Sequence, residues 1–182
     1  MVPHHRRRVP RPARDHLQRA GRDVDRLFRD VENIVGIKET TNDFGHFSRV
    51  LHLAGPELLV WSGIELLGLP LLALGGAGTV SAVANLAPTA VARMYELWTA
   101  GDHAAARELH YGLHPLVDLL FVETNPAPAK WVLRHRLGLL GSDHVRAPLV
   151  PLSPAGQKVV ESYLDQAGDL LVVPDRTGAS RR

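Results

Sequence analysis

Between residues 34 and 85, short apolar runs alternate with helical patterns, and this alternation limits the fold more than any other feature of the chain. "IVGIKE" (34–39) reads as a buried strand rich in β-branched residues. Residues 44–54 read as a helix whose Phe47, Val50, Leu51 and Ala54 share one face, ended by Gly55 and Pro56. A second strand, "LLVWSG", starts at Leu58, then a helix runs through "IELLGLPLLALG", and "GTVSAVAN" reads as a third strand. Strands separated by helices run parallel, because a parallel connection needs a crossover, and such strands are buried on both faces. The first half is therefore α/β.

After Asn85 the strand signal stops. Val91, Met94, Tyr95 and Trp98 form one helical face, and Gly101 with Asp102 supplies a helix stop and the next N-cap. Ala106, Leu109, Leu113, Leu116 and Leu120 line the helix that follows, "ETNPAPAK" breaks it, and a short helix is expected around 131–137. Ser153 and Pro154 open a last helix to about Ala167 in the favoured cap and first-turn positions. Residues 1–22 are Arg- and Pro-rich and are expected to be a disordered arm, with 171–182 a disordered tail. The expected organisation is thus an α/β region over 23–102 and a helical region over 103–170.

Bulk properties narrow the classes of function. The chain is 45% hydrophobic and 22% charged, a globular composition long enough for one sizeable core. A net charge of +2 creates no global field that would recruit nucleic acid, and the "HHRRR" run lacks the interleaved aromatics of a recognition module. No nucleic-acid partner is expected. The amino terminus lacks the apolar core of a secretory signal, and the longest apolar stretch, 58–78, holds Glu65, Pro70 and several glycines, a poor membrane span. With no cysteine there is no disulfide, zinc-thiolate site or cysteine nucleophile, and a cytoplasmic setting fits.

Chemistry centres on Lys38. Of 21 basic residues only Lys38, Lys130 and Lys158 are lysines. Alternation places Ile34, Gly36 and Lys38 on one strand face, and Lys38 at the carboxyl end, where α/β sheets and barrels carry their active sites. An amine there is expected to be partly desolvated, which lowers its pKa from about 10.4 and yields the neutral nucleophile a Schiff base needs. From pattern alone, a lysine at a strand end is a solvated terminator. The glycines Gly75, Gly76 and Gly78 precede a strand rather than a helix, so a phosphate-cradling loop is not expected. His110 and His114 stand at i and i+4 without an HExxH pattern and read as surface or interface histidines, so no metal is assigned.

Several stretches, "NIVGIKETTND", "VWSG", "LALGGAGTVSAVANLAP", "ARELHYGLHPLVDLLFVETNPAPAKWVL" and "APLVPLS", follow in order and spacing that resemble the carboxyl-terminal half of the dihydrodipicolinate synthase and N-acetylneuraminate lyase family. The resemblance covers residues 31 to about 170. It implies part of a (β/α)8 TIM barrel, about its last three strands, followed by a carboxyl-terminal helical extension. It also implies class I aldolase chemistry without a cofactor, in which a lysine condenses with pyruvate or a related 2-oxo acid. Lys38 falls on the Schiff-base lysine, Val80 on the position whose backbone lies beside bound pyruvate, and Gly63 and Gly78 on positions that shape the pocket floor.

This chain departs from the family pattern in two places. Ile64 stands between "SG" and Glu65, and "TTND" follows Glu39, where synthases commonly carry a small residue with glycine. A barrel of this kind needs eight strands and about 250 residues. Only three strands are legible, and the tyrosine that relays protons in the family has no match before Lys38. The resemblance implies a lyase joining pyruvate to an aldehyde such as aspartate semialdehyde. The alternatives are a related aldolase or hydratase-aldolase on another aldehyde or 2-oxo sugar acid, and a truncated, catalytically silent chain. A homo-oligomer is implied if the fold is completed.

Overall fold

The sheet consists of three short parallel strands, β1 (Gly36–Glu39), β2 (Leu59–Ser62) and β3 (Gly78–Thr79), ordered β1-β2-β3. The computed structural model describes residues 11–171, with side chains from residue 21 onward. In register, Lys38 stands opposite Trp61, and Trp61 opposite Gly78. Helix α1 (Arg11–Asp30) leads into β1, α2 (Phe44–Ala54) connects β1 to β2, and a 3-10 turn (Glu65–Leu67) with α3 (Gly68–Ala73) connects β2 to β3. Gly55 ends α2 with φ 78°, a left-handed value that favours glycine, and its amide caps Leu51 O.

The helices bury one face of this sheet. Phe47, Val50 and Ala54 of α2 and Leu71 of α3 form a core with Leu58 and Val60, and Val24 and Phe28 of α1 pack against it. Val60 is 1% exposed and Phe47 fully buried. Burying one such side chain contributes roughly 1.5–3 kcal/mol, which for so small a unit is a large share of its stability.

The chain divides between Val80 and Ser81 into two compact units. The second holds α4 (Pro88–Thr99), α5 (His103–Gly112), α6 (His114–Leu120), α7 (Ala127–His135) and α8 (Pro154–Ala167). Its core includes Met94, Leu116, Leu119, Leu120, Val132 and Val160. Asp102 and Ser153 cap α5 and α8 by accepting from the amides of Ala105 and Gly156, as their sequence positions predict. Ser153 is itself held by the Glu123 carboxylate, which accepts from its amide and its hydroxyl.

Four expectations change. Residues 11–22 belong to α1 rather than to an arm, while 1–10 and 172–182 lie outside the described residues. The unit boundary falls at 80/81 rather than at 102/103, because α4 packs against α5. The third strand covers only Gly78–Thr79: the Ser81 hydroxyl accepts from the Ala84 amide and turns the chain into a 3-10 helix over Val83–Asn85. The helix expected through 106–120 breaks into α5 and α6 at Leu113, and Pro115 occupies the first turn of α6.

Candidate functional site

The residues singled out by sequence gather at the carboxyl end of the sheet, on the face that the helices leave bare. Gly36, Lys38, Leu59, Trp61 and Gly78 share that face by register. Leu59 is 41% exposed and Val80 48%. Lys38 is exposed as well, which corrects the expectation of a partly desolvated amine. The physical reason is local: the neighbouring Gly36 and Gly63 have no side chains to cover the amine.

Gly63 is cut to fit. A Cβ placed there would meet Lys38 Cε at 2.6 Å and would also collide with Thr40 Oγ1, so glycine makes the notch in which both side chains lie. Its amide donates to Glu39 O at 2.6 Å, and the Val80 amide donates to Ser62 O at 2.8 Å, extending the ladder one residue beyond β3. The backbone of Val80 therefore lies in the row beyond Lys38, next to Gly63. Gly78 has φ 137°, a conformation that L side chains rarely adopt, in the row shared with Lys38 and Trp61. Lys38, Gly63, Gly78 and Val80, separated by up to 42 positions in the chain, thus meet at one sheet end.

A second layer lies behind the lysine. Glu39 points to the covered face, and its Oε1 accepts from the amides of Thr40 (2.8 Å) and Thr41 (3.1 Å). The Thr41 hydroxyl accepts from the Asp43 amide at 3.0 Å, and Asp43 Oδ1 accepts from the His46 amide at 3.1 Å, which caps α2. His46 Nε2 returns to Glu39 Oε2 at 3.0 Å, so residues 39–46 form a closed ring of hydrogen bonds. His46 is 3% exposed, and its Nδ1 has no hydrogen-bond partner. The side chain of Ser62, fully buried, donates to Ile64 O and accepts from the Ile64 amide, which fixes the turn that begins with Gly63.

Sequence reasoning missed the ring. Asp43 directly before the helical pattern at Phe44 was the available signal, since aspartate is a favoured N-cap. The closure by His46 carried none, because it depends on how α2 lies against β1.

The tyrosines of the chain, Tyr95, Tyr111 and Tyr163, all fall in the second unit. There His110 and His114 meet edge to face with ring centroids 5.1 Å apart, and burial followed by repulsion from His114 holds His110 below the usual histidine range. Among the described residues no group of three or more His, Cys, Asp or Glu side chains could hold a metal, and no helix is long and apolar enough to cross a membrane.

Comparison with known proteins places the chain in a family. Residues 11–167 match the model of the dihydrodipicolinate synthetase family. The chain is 37% identical over 157 residues to a 4-hydroxy-tetrahydrodipicolinate synthase of Oleidesulfovibrio alaskensis, covering 86% of this chain and 53% of that protein. It superposes on the 4-hydroxy-tetrahydrodipicolinate synthase of Methylacidiphilum fumariolicum SolV with a TM-score of 0.77 at 35% identity, covering 82% of this chain and 49% of that one. The dihydrodipicolinate synthase of Acinetobacter baumannii, solved in complex with pyruvate, gives a TM-score of 0.74 at 32% identity and covers 81% and 50%. The chain spans about half the length of the curated relatives it matches. A match over residues 11–167, which spans both units, makes this chain a member of the dihydrodipicolinate synthetase family.

Proposed function

We propose that Lys38 is the imine-forming lysine of a class I pyruvate aldolase, a lyase of the 4-hydroxy-tetrahydrodipicolinate synthase type. The observation that carries the reading is positional. Lys38 is the last residue of β1 on the bare face of the sheet, with Gly63 cut away against its methylene chain and the backbone of Gly78 and Val80 one strand beyond, across β2. Support also comes from a family relative solved with pyruvate bound.

In this reading the neutral amine adds to the C2 carbonyl of pyruvate and water leaves, giving the imine. Loss of a C3 proton gives the enamine, whose C3 attacks the carbonyl carbon of an aldehyde such as aspartate semialdehyde while the aldehyde oxygen takes up a proton. Attack of water or an amine on the imine carbon then frees Lys38. The first unit contains no tyrosine, so proton transfers at Lys38 within this unit fall to solvent, which reaches the exposed amine. No cofactor enters the scheme. A barrel completed by further strands would be the full catalyst, a cytoplasmic homo-oligomer serving lysine biosynthesis.

A second reading keeps the imine and changes the acceptor to another aldehyde or a 2-oxo sugar acid. Ile64 after Gly63, and Thr40 to Asp43 after Glu39, favour it, because these departures line the end of the sheet where an acceptor would approach.

Borohydride reduction in the presence of pyruvate, followed by peptide mass spectrometry, tests the shared step. The expected product is a reduced adduct on the Lys38 peptide that disappears in Lys38→Ala. A clean spectrum from folded protein, or adducts confined to Lys130 and Lys158, rejects the reading.

A further inference from the structure

We infer that Glu39 and His46 form a positioning pair for Lys38, holding the loop that leaves β1 so that Thr40 stays packed in the notch beside the lysine. The inference rests on the imine reading for its purpose, while its physical content is independent of it.

Three observations converge. Lys38 Cε and Thr40 Oγ1 occupy the same notch above Gly63, so the space open to the lysine side chain depends on where Thr40 sits. Thr40 in turn sits where Glu39 puts it, because one carboxylate oxygen gathers the amides of both Thr40 and Thr41. The other oxygen is anchored to α2 through His46 Nε2 at 3.0 Å. That bond satisfies one ring nitrogen of His46 and leaves the other, Nδ1, to be accounted for.

Nδ1 is shielded from solvent and has no partner. Its neighbours on the buried face of α2, Phe47 and Val50, are apolar and leave nothing unsatisfied. A hydrophobic side chain at position 46 would avoid the orphaned nitrogen, and would also release Glu39. Buried polar atoms without partners call for such a reason, and the bond to the residue next to the lysine supplies one. Glu39 faces the helices while Lys38 faces away from them, so the pair touches neither the amine nor anything bound to it. Its effect passes through the loop.

Three lysines make the test direct. Reductive methylation with 13C-formaldehyde labels Lys38, Lys130 and Lys158, and Lys38→Arg assigns the first. In Glu39→Ala the Lys38 methyl resonance is expected to shift or sharpen as the side chain gains freedom, with the Lys130 and Lys158 resonances unmoved. Glu39→Gln, which keeps an oxygen for the two amides, is expected to restore it. On unlabelled protein, the rate of borohydride trapping with pyruvate is expected to fall about tenfold in Glu39→Ala and to recover in Glu39→Gln, as for a reacting group displaced by a fraction of an ångström.

His46→Gln leaves both backbone contacts in place and carries the same test if Glu39→Ala does not fold. An unchanged Lys38 resonance in a folded variant overturns the inference. Failure of both variants to fold overturns it too, because the pair is then a folding element. If the unaltered protein shows no trapping, the imine reading falls, while the methyl resonances still decide whether the pair positions Lys38.

Discussion

The two faces of the three-stranded sheet share one backbone and differ in every other respect. On the covered face, Val60 and Ser62 are 1% and 0% exposed, and Ile37 packs into the core built by Phe47, Val50 and Leu71. On the bare face, Leu59 is 41% exposed although it is the immediate neighbour of Val60. Adjacent residues of one strand thus inhabit environments as different as a protein interior and a protein surface. The covered face holds the fold together, and the bare face carries Lys38, the residue proposed to form the imine. Parallel strands are ordinarily buried on both sides, and this face, with Leu59 and Val80 exposed, departs from that rule.

The asymmetry can be broken from the covered side most severely. Phe47→Ala is expected to cost about 3–5 kcal/mol, enough to unfold the first unit in a urea titration. A loss below about 1 kcal/mol would mean that the core does not depend on α2. Val60→Ala and Leu59→Ala sharpen the contrast, since they remove aliphatic groups from neighbouring positions. The first is expected to lower stability by about 1.5–2.5 kcal/mol and the second by less than about 0.5 kcal/mol, so equal costs would show that the bare face is covered in solution. The smallest effect on stability is expected from Leu59→Lys. Its readout is self-association: sedimentation should show fewer large species than the unaltered chain, because charge on an exposed sheet disfavours pairing of open sheets.

Much of this architecture was legible in the sequence. β1, β2 and α2 stand close to where periodicity puts them, since a β-branched run ending at a lysine and an apolar face at helical spacing are strong local signals. α1 reads short in the sequence because residues 11–23 are mostly polar, with Leu17 their one large aliphatic side chain; only toward its end do Val24 and Phe28 reach the core, so the stripe that reveals a helix is confined to its last turns. β3 was read long because "SAVAN" has strand composition, while the Ser81 hydroxyl captures the Ala84 amide and bends the chain away. Lys38 stands out in the sequence by its order among the later motifs. The Glu39–His46 bond was not, because two residues seven apart on different elements give no periodic signature.

One consequence follows from strand order alone. The order β1-β2-β3 is sequential, and α2 and α3 contribute to one core on a single face, as strand crossovers of uniform hand require. Any additional βα unit appended in the same sense would lay its strand against an outer edge and its helix on that same side. Growth of this kind can widen the sheet but never cover its bare face. Only curling until first and last strands meet removes the edges, and it leaves the lysine end of every strand pointing toward a common mouth.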